Sequence, residues 1–266
     1  MAATSIAPAV ERGRLALAVQ DGVTIAGRNL RAMTRVPEVI VFSTIQPVLF
    51  VLAFRYVFGG AIRVPNVDYV DFLMPGIFVQ TVAFGGLNTV IGLSDDLNKG
   101  LIERFRSLPM ARSAVLSGRT LADLVRNVGV VALMVVVGYL VGFSVHTNAA
   151  AFLAAMVVLL LFAFALSWMF ALLALSVSNP EAAQAAAFPP LALLVFASSA
   201  FVPVDSMPGW LQVFADHQPA TSTVDAIRAL VLGGPTVGPV LQALAWGVGI
   251  VAVFAPLAVR RYRRAA

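Results

Sequence analysis

The sequence has no cysteine, so a disulfide frame and thiolate chemistry are excluded. Lysine occurs once, at Lys99, between Asn98 and Gly100. A phosphate-binding Walker A loop needs Gly-Lys followed by Ser or Thr. The chain therefore carries no P-loop of its own. Charge is also scarce: 12% of residues are Asp, Glu, Lys or Arg, against about 25% in a soluble domain. Histidine appears only as His146 and His217, and no HExxH motif or Ser-His-Asp order is present. Adjacent Asp95 and Asp96 do not face each other on a helix and suit a helix start better than a metal pair. No catalytic residue, metal site or cofactor of the chain's own is expected.

Apolar residues fill the space that charge leaves. The 266 residues are 60% hydrophobic, with a mean hydropathy of +0.91, which points to an integral membrane protein. A bilayer core about 30 Å thick needs about 20 apolar residues in a helix. Six spans meet that length, at roughly 39–60, 71–93, 120–143, 149–177, 183–204 and 238–259. An all-α membrane fold follows. The net charge of +5 does not argue for nucleic acid, because the arginines flank apolar runs, as they do in membrane proteins. The N-terminus lacks the apolar core of a signal peptide and is expected to be kept.

Positive charge orients the spans. Arg12, Arg14, Arg28, Arg31 and Arg35 precede the first. Lys99, Arg104, Arg106, Arg112 and Arg119 lie between the second and third. Arg260, Arg261, Arg263 and Arg264 end the chain. With six spans these three groups share one side, so both termini are expected in the cytoplasm of a cell-membrane protein. The expected organisation is a cytoplasmic N-terminus over 1–37, one transmembrane domain over 38–260 and a basic tail over 261–266.

Before the first span, Leu15, Val19, Gly22, Ala26, Leu30 and Met33 fall on one helical stripe, and Arg28, Arg31 and Arg35 point the other way. Such a helix either lies in the membrane surface, basic face toward phosphates, or packs on other protein. Gly22 and Gly27 weaken its helical propensity.

Between the second and third spans runs "SDDLNKGLIERFRSLPMARSAVLSGR", Ser94 to Arg119. Leu101, Phe105 and Leu108 form an apolar face at i, i+4 and i+7, with Glu103, Arg104 and Arg106 off that face. Pro109 ends this helix. Ser113 can cap a second helix, which carries Arg119, Asp123 and Arg126 at pairing distances. The segment is either a solvated loop that fixes topology or a docking element with an apolar edge rimmed by charge.

This arrangement resembles the permease subunits of ABC type-2 exporters, most closely the daunorubicin-resistance type of drug-efflux permease. A second block, "SSAFVPVDSMPGWLQVFADHQPATSTVDAIRALVLGG", is similar to that family's outer segment, with Pro203, Pro208, Trp210, Pro219, Asp225 and Arg228 at matching places. The likeness covers about residues 25–260. It implies six transmembrane helices and a second permease half, identical or homologous. It also implies two copies of an ATP-binding subunit that hold ATP and Mg. The amphipathic N-terminal helix would be an interface helix. The helix through Gly100, Leu101, Glu103, Arg104, Phe105, Arg106, Leu108 and Pro109 would couple to the ATPase. Short outer helices around 207–232 would dip into the membrane. Pro208 suits a first helical position, and Trp210 an interfacial anchor.

Polar residues within the spans are few. Gln46 with Pro47 sits in the first, Gln80, Thr81, Asn88 and Thr89 in the second, Gln184 at the start of the fifth. Each either lines a substrate path or bonds a neighbouring helix. A path of Phe, Leu and Val without fixed charge favours a bulky hydrophobic or amphipathic cargo: a drug, a polyketide-like compound or a lipid. Some relatives carry lipids or polysaccharide precursors. Two other classes compete with an ABC permease. An ion-driven secondary transporter would place ionisable residues at mid-membrane. A lipid-modifying enzyme would need a carboxylate, histidine or metal cluster near the interface.

Overall fold

The computed structural model describes residues 14–34, 37–59, 67–98, 114–177 and 179–265. Helices dominate these residues, and no strand occurs among them. The α-helices are α1 (Arg14–Thr34), α2 (Pro37–Leu52), α3 (Tyr69–Asn98), α4 (Ala114–Leu140), α5 (Ala149–Ala174), α6 (Pro180–Phe196), α7 (Gly209–Asp216), α8 (Pro219–Leu232) and α9 (Val237–Ala265). A π-helical turn, Ala53–Phe58, continues α2 directly.

Four helices are long and apolar enough to cross a membrane: Tyr69–Asn98, Leu116–Leu140, Ala149–Ala174 and Val237–Tyr262. They correspond to the second, third, fourth and sixth expected spans. The first is represented by a shorter apolar stretch, Ile45–Val57. The fifth, expected over 183–204, ends early, because α6 has 17 residues and stops at Phe196. At about 1.5 Å per residue it is a few ångströms shorter than the hydrocarbon core. Beyond it the chain turns, and Ser198 and Ser199 are buried there. Their hydroxyls bond Val195 O at 2.6 Å and Asp225 Oδ1 at 2.9 Å. Side chains of this kind compete for the backbone groups a helix would otherwise use.

At the centre stands α3, which touches α2, α4, α5, α6 and α8. Its first half is buried on every side, from Tyr69 through Ala83. Such a position calls for an apolar circumference, broken here by Asp71, Gln80 and Thr81. By contrast α9 packs on α5 and α8 and leaves Leu241, Val248, Val253 and Leu257 exposed. Helix α6 is also peripheral. Only Ala183, Ala187, Leu191 and Val195, one residue per turn, are buried on it.

The amphipathic helix α1 lies along α4. Its buried face is Gly22, Ile25, Ala26 and Asn29, so the stripe foreseen in the sequence is spent, at least in this part, on protein. Gly118 permits the crossing. A Cβ there would stand 2.7 Å from Gly22 O and 2.7 Å from Ile25 Cβ, so two backbones meet where a side chain would part them. Packing of this kind gives Gly22 a place in the helix, whereas Gly27 lies in open space.

Candidate functional site

Helices α2, α3, α4 and α6 enclose a cleft of about 370 Å³, open on one side. Gln46 and Pro47 reach it from α2, and Gln184 from α6. Central α3 contributes Gln80, Thr81, Phe84 and Asn88, and α4 contributes Arg126, Asn127 and Val130. The three residues read as possible pathway positions, Gln46, Gln80 and Asn88, are thus brought to one place from two helices. Gln46 and Gln184 are exposed, whereas Gln80 is 2% exposed. Gln80 Oε1 has no hydrogen-bond partner among the described residues.

Arg126 alters the expectation of an uncharged path. Its Nη2 donates to Gly85 O at 2.7 Å and reaches Asn127 Oδ1 at 3.5 Å. Behind it Asp123, fully buried, stands 3.6 Å from Arg126 Nη1 and 3.7 Å from Arg119 Nε. Thr89 donates to Asp123 Oδ2 at 2.7 Å. Arg119 continues the chain of charge, with Asp96 Oδ2 at 3.5 Å from its Nη1. Asp96 in turn meets Arg28 of α1 at 3.7 Å. Gly92 makes room for this network, since a Cβ there would fall on the Arg119 guanidinium. The i, i+4, i+7 spacing of Arg119, Asp123 and Arg126 is visible in the sequence. That their charges face α3 and the cleft is not.

An aromatic ladder leads from the cleft toward the far end of α2. Phe84 meets Phe188 and Phe196 edge-on, at 6.3 and 6.4 Å between centroids. Phe196 stacks on Phe201 at 5.6 Å, and Phe201 on Phe54 at 4.6 Å.

The turn after α6 and helices α7 and α8 close the opposite end of the bundle from Asp96. Pro203 precedes the 3-10 turn Val204–Ser206. Pro208 is the N-cap of α7 rather than its first residue, and Pro219 is the first residue of α8. Pro208 has no N–H to leave unpaired, so the cap position suits it. Trp210 is 75% exposed at the start of α7. Asp225 and Arg228 pair within α8 at 3.3 Å. Arg228 also donates from Nη2 to Ser199 O at 2.6 Å. Burial lowers the guanidinium to about 10, against the pull of Asp225, so it is charged at neutral pH. Burial raises the Asp225 carboxyl, and Arg228 opposes the rise.

One cluster has no counterpart in the sequence reading. Asp71, 2% exposed, accepts from Ser144 N at 2.8 Å and Ser144 Oγ at 3.0 Å. His146 Nε2 lies 3.0 Å from Asp71 Oδ2 and 2.8 Å from Ser144 Oγ. The same ring nitrogen faces both partners, so this is not a nucleophile relay, in which the base spans the two through different nitrogens. It ties the α4–α5 loop to α3, and His146 N and Thr147 Oγ1 extend the tie to Val231 O and Leu230 O. His217 remains at the end of α7, near Val213 O.

The helix read as a coupling element, Gly100, Leu101, Glu103, Arg104, Phe105, Arg106, Leu108 and Pro109, lies outside the described residues, as do Ser113 and Arg35. Arg28 and Arg31 belong to α1.

The ABC-2 type transporter family matches residues 22–232. The chain is 36% identical over 259 residues to the daunorubicin resistance ABC transporter permease protein DrrB1 of Streptomyces coeruleorubidus, covering 97% of this chain and 92% of that protein. It is 29% identical over 228 residues to the probable doxorubicin resistance ABC transporter permease protein DrrC of Mycobacterium tuberculosis, covering 85% and 82% of the two chains. A putative transport permease, ycf38 of Cyanophora paradoxa, is 27% identical over 216 residues, covering 80% and 74%. An apolar helical bundle with a polar cleft, matched along most of its length to permeases of drug resistance, belongs to the ABC-2 type transporter membrane family.

Proposed function

We propose that the chain is the transmembrane half of an ATP-driven exporter that moves a hydrophobic or amphipathic compound out of the cytoplasm or inner leaflet. The observation that carries this reading is the cleft. Exposed Gln46 and Gln184 flank its open side, and side-chain amides are costly against hydrocarbon. That side is therefore covered by protein or faces a water-filled chamber. The apolar surfaces beside it, Ile45, Leu49 and Leu52 on α2 and Phe188, Leu193 and Phe196 on α6, suit a second permease half. Two clefts then face each other across one chamber.

In this arrangement the chain crosses the membrane six times, with α2 plus its π turn as the first crossing and α6 plus the following turn as the fifth. Both termini are cytoplasmic. Two ATP-binding subunits sit beneath the pair, and the segment Gly100–Pro109 docks on them. The network Arg28–Asp96–Arg119–Asp123–Arg126 joins the cytoplasmic helix α1 to the cleft wall, so a push from below reaches the cargo site through paired charges. The outer clamp around Arg228 closes the exit.

The test is co-purification with an ATP-binding subunit co-expressed in the same membranes. The wild-type chain is expected to bring down an active ATPase. Replacing Leu101 or Phe105 with Glu should weaken that complex while membrane insertion is unchanged. A chain that purifies alone and moves a hydrophobic dye down a proton gradient would replace this reading with a secondary transporter.

A further inference from the structure

The exporter reading leaves the chemistry of the cargo open, and the cleft narrows it. Among the described lining residues Arg126 is the charged one. No carboxylate lines the space, because Asp123 is fully buried behind the arginine. The pairing behind is loose: Asp123 Oδ1 and Arg126 Nη1 stand 3.6 Å apart, beyond hydrogen-bond length, and neither makes a hydrogen bond among the described residues. Nη1 is buried beside Asp123 and Nη2 is bonded to Gly85 O, so what the guanidinium brings to the cleft is its charge. Amide donors accompany it at Gln46, Asn88, Asn127 and Gln184. Phe84 lines the same cleft, and Phe188 and Phe196 pack edge-on against it. Gln80 Oε1, buried at the cleft wall, has no partner among the described residues. Buried acceptors of that kind are rare in finished structures.

From this geometry we infer that the cleft takes a flat or apolar body carrying an acidic, oxygen-rich group, and that Arg126 sets the preference for acid over amine. A cationic amphiphile meets a fixed positive charge here without a carboxylate to answer it. A carboxylate or phosphate meets that charge together with the side-chain amides around it. A hydroxyl next to the acidic group would satisfy Gln80 Oε1. The inference deepens the exporter reading and rests on it for what happens to the ligand after binding.

The experiment compares two probes of one shape. The full chain, with the ATP-binding subunit that accompanies it, is placed in phosphatidylcholine nanodiscs. Binding of 9-anthroic acid and of 9-(aminomethyl)anthracene is measured by fluorescence without nucleotide. The acid should bind about tenfold more tightly, the scale of one charge-assisted hydrogen bond. Arg126→Gln should abolish the difference and Arg126→Lys should retain most of it. Gln80→Leu should weaken a hydroxylated acid, 3-hydroxy-2-naphthoic acid, and leave anthroic acid unchanged. Equal or reversed affinities in the wild-type chain overturn the inference, whatever the variants do. So does an acid preference that survives Arg126→Gln. An unchanged affinity for the hydroxylated acid in Gln80→Leu overturns the ligand role of that glutamine and leaves it to a neighbouring chain. Doping the discs with phosphatidic acid separates sources: displacement of the probe identifies a lipid headgroup, and its absence a solute, as bearer of the acidic group. ATP-dependent movement of the two probes is assayed separately. Failure there removes the exporter reading without changing the measured preference.

Discussion

The Arg228 guanidinium lies 3.6 Å from the centre of the Phe72 ring, and its Nε donates to the Phe72 carbonyl at 3.1 Å. One side chain of α8 thus holds α3 by both ring and backbone while it bonds the turn after α6. Replacing Arg228 with Ala leaves Asp225 without its cation and removes the donor from the Phe72, Ser199 and Ala200 carbonyls. The expected loss is about 2–4 kcal/mol of stability, read as a lower melting midpoint of the purified chain in lipid discs. Arg228→Lys should recover only part of it, because an ammonium cannot serve the fork and the ring together. Full recovery by lysine would mean that charge alone matters at this clamp.

Asp123 holds together the opposite part of the bundle. Asp123→Ala leaves Arg119 and Arg126 beside each other against α3 without the carboxylate between them. The folded yield, measured by size-exclusion chromatography, should fall sharply. Thr89→Val removes only the hydroxyl donor and should cost about 1 kcal/mol. Similar effects from both variants would show that the charge on Asp123 is not what the network depends on.

The absence of cysteine makes orientation directly testable. Trp210→Cys introduces a thiol at an exposed position of α7, and Arg264→Cys one in the exposed basic tail. A membrane-impermeant maleimide added to intact cells should label the first and not the second. The reverse pattern would invert the proposed topology, and labelling of both would end the six-crossing scheme.

Gly118 is predicted to control docking of α1. A Val there drives a side chain into the Gly22 carbonyl and Ile25. Overpacking of this order costs about 1–3 kcal/mol. The expected sign is faster proteolysis within Arg14–Thr34, with α3 to α9 still resistant. Unchanged proteolysis would mean that α1 holds its place through Arg28 and Asp96 alone.

The long apolar helices were legible because hydrocarbon demands length and apolar composition, and both are written locally. The fifth span was misjudged by eight residues. Its apolar run continues to Val204, but Ser199 finds partners in α8, Thr221 and Asp225, that a local pattern does not contain. Arg126 was read as one member of a helical charge series. Its role at the cleft depends on Gly85 of another helix, 41 residues earlier in the chain.

The sequence by itself therefore determined the class: a cysteine-free, P-loop-free, membrane-embedded helical chain, and motifs that place its family. Transfer from water to lipid acts residue by residue, so composition and period suffice. Tertiary structure alone decided that Gln46, Gln80, Asn88 and Arg126 share a cleft, that Asp71 is bound to Ser144 and His146, and that Arg228 clamps Phe72. Those contacts join residues far apart in the chain, and their energies depend on distances and on burial that exist only once the helices have packed.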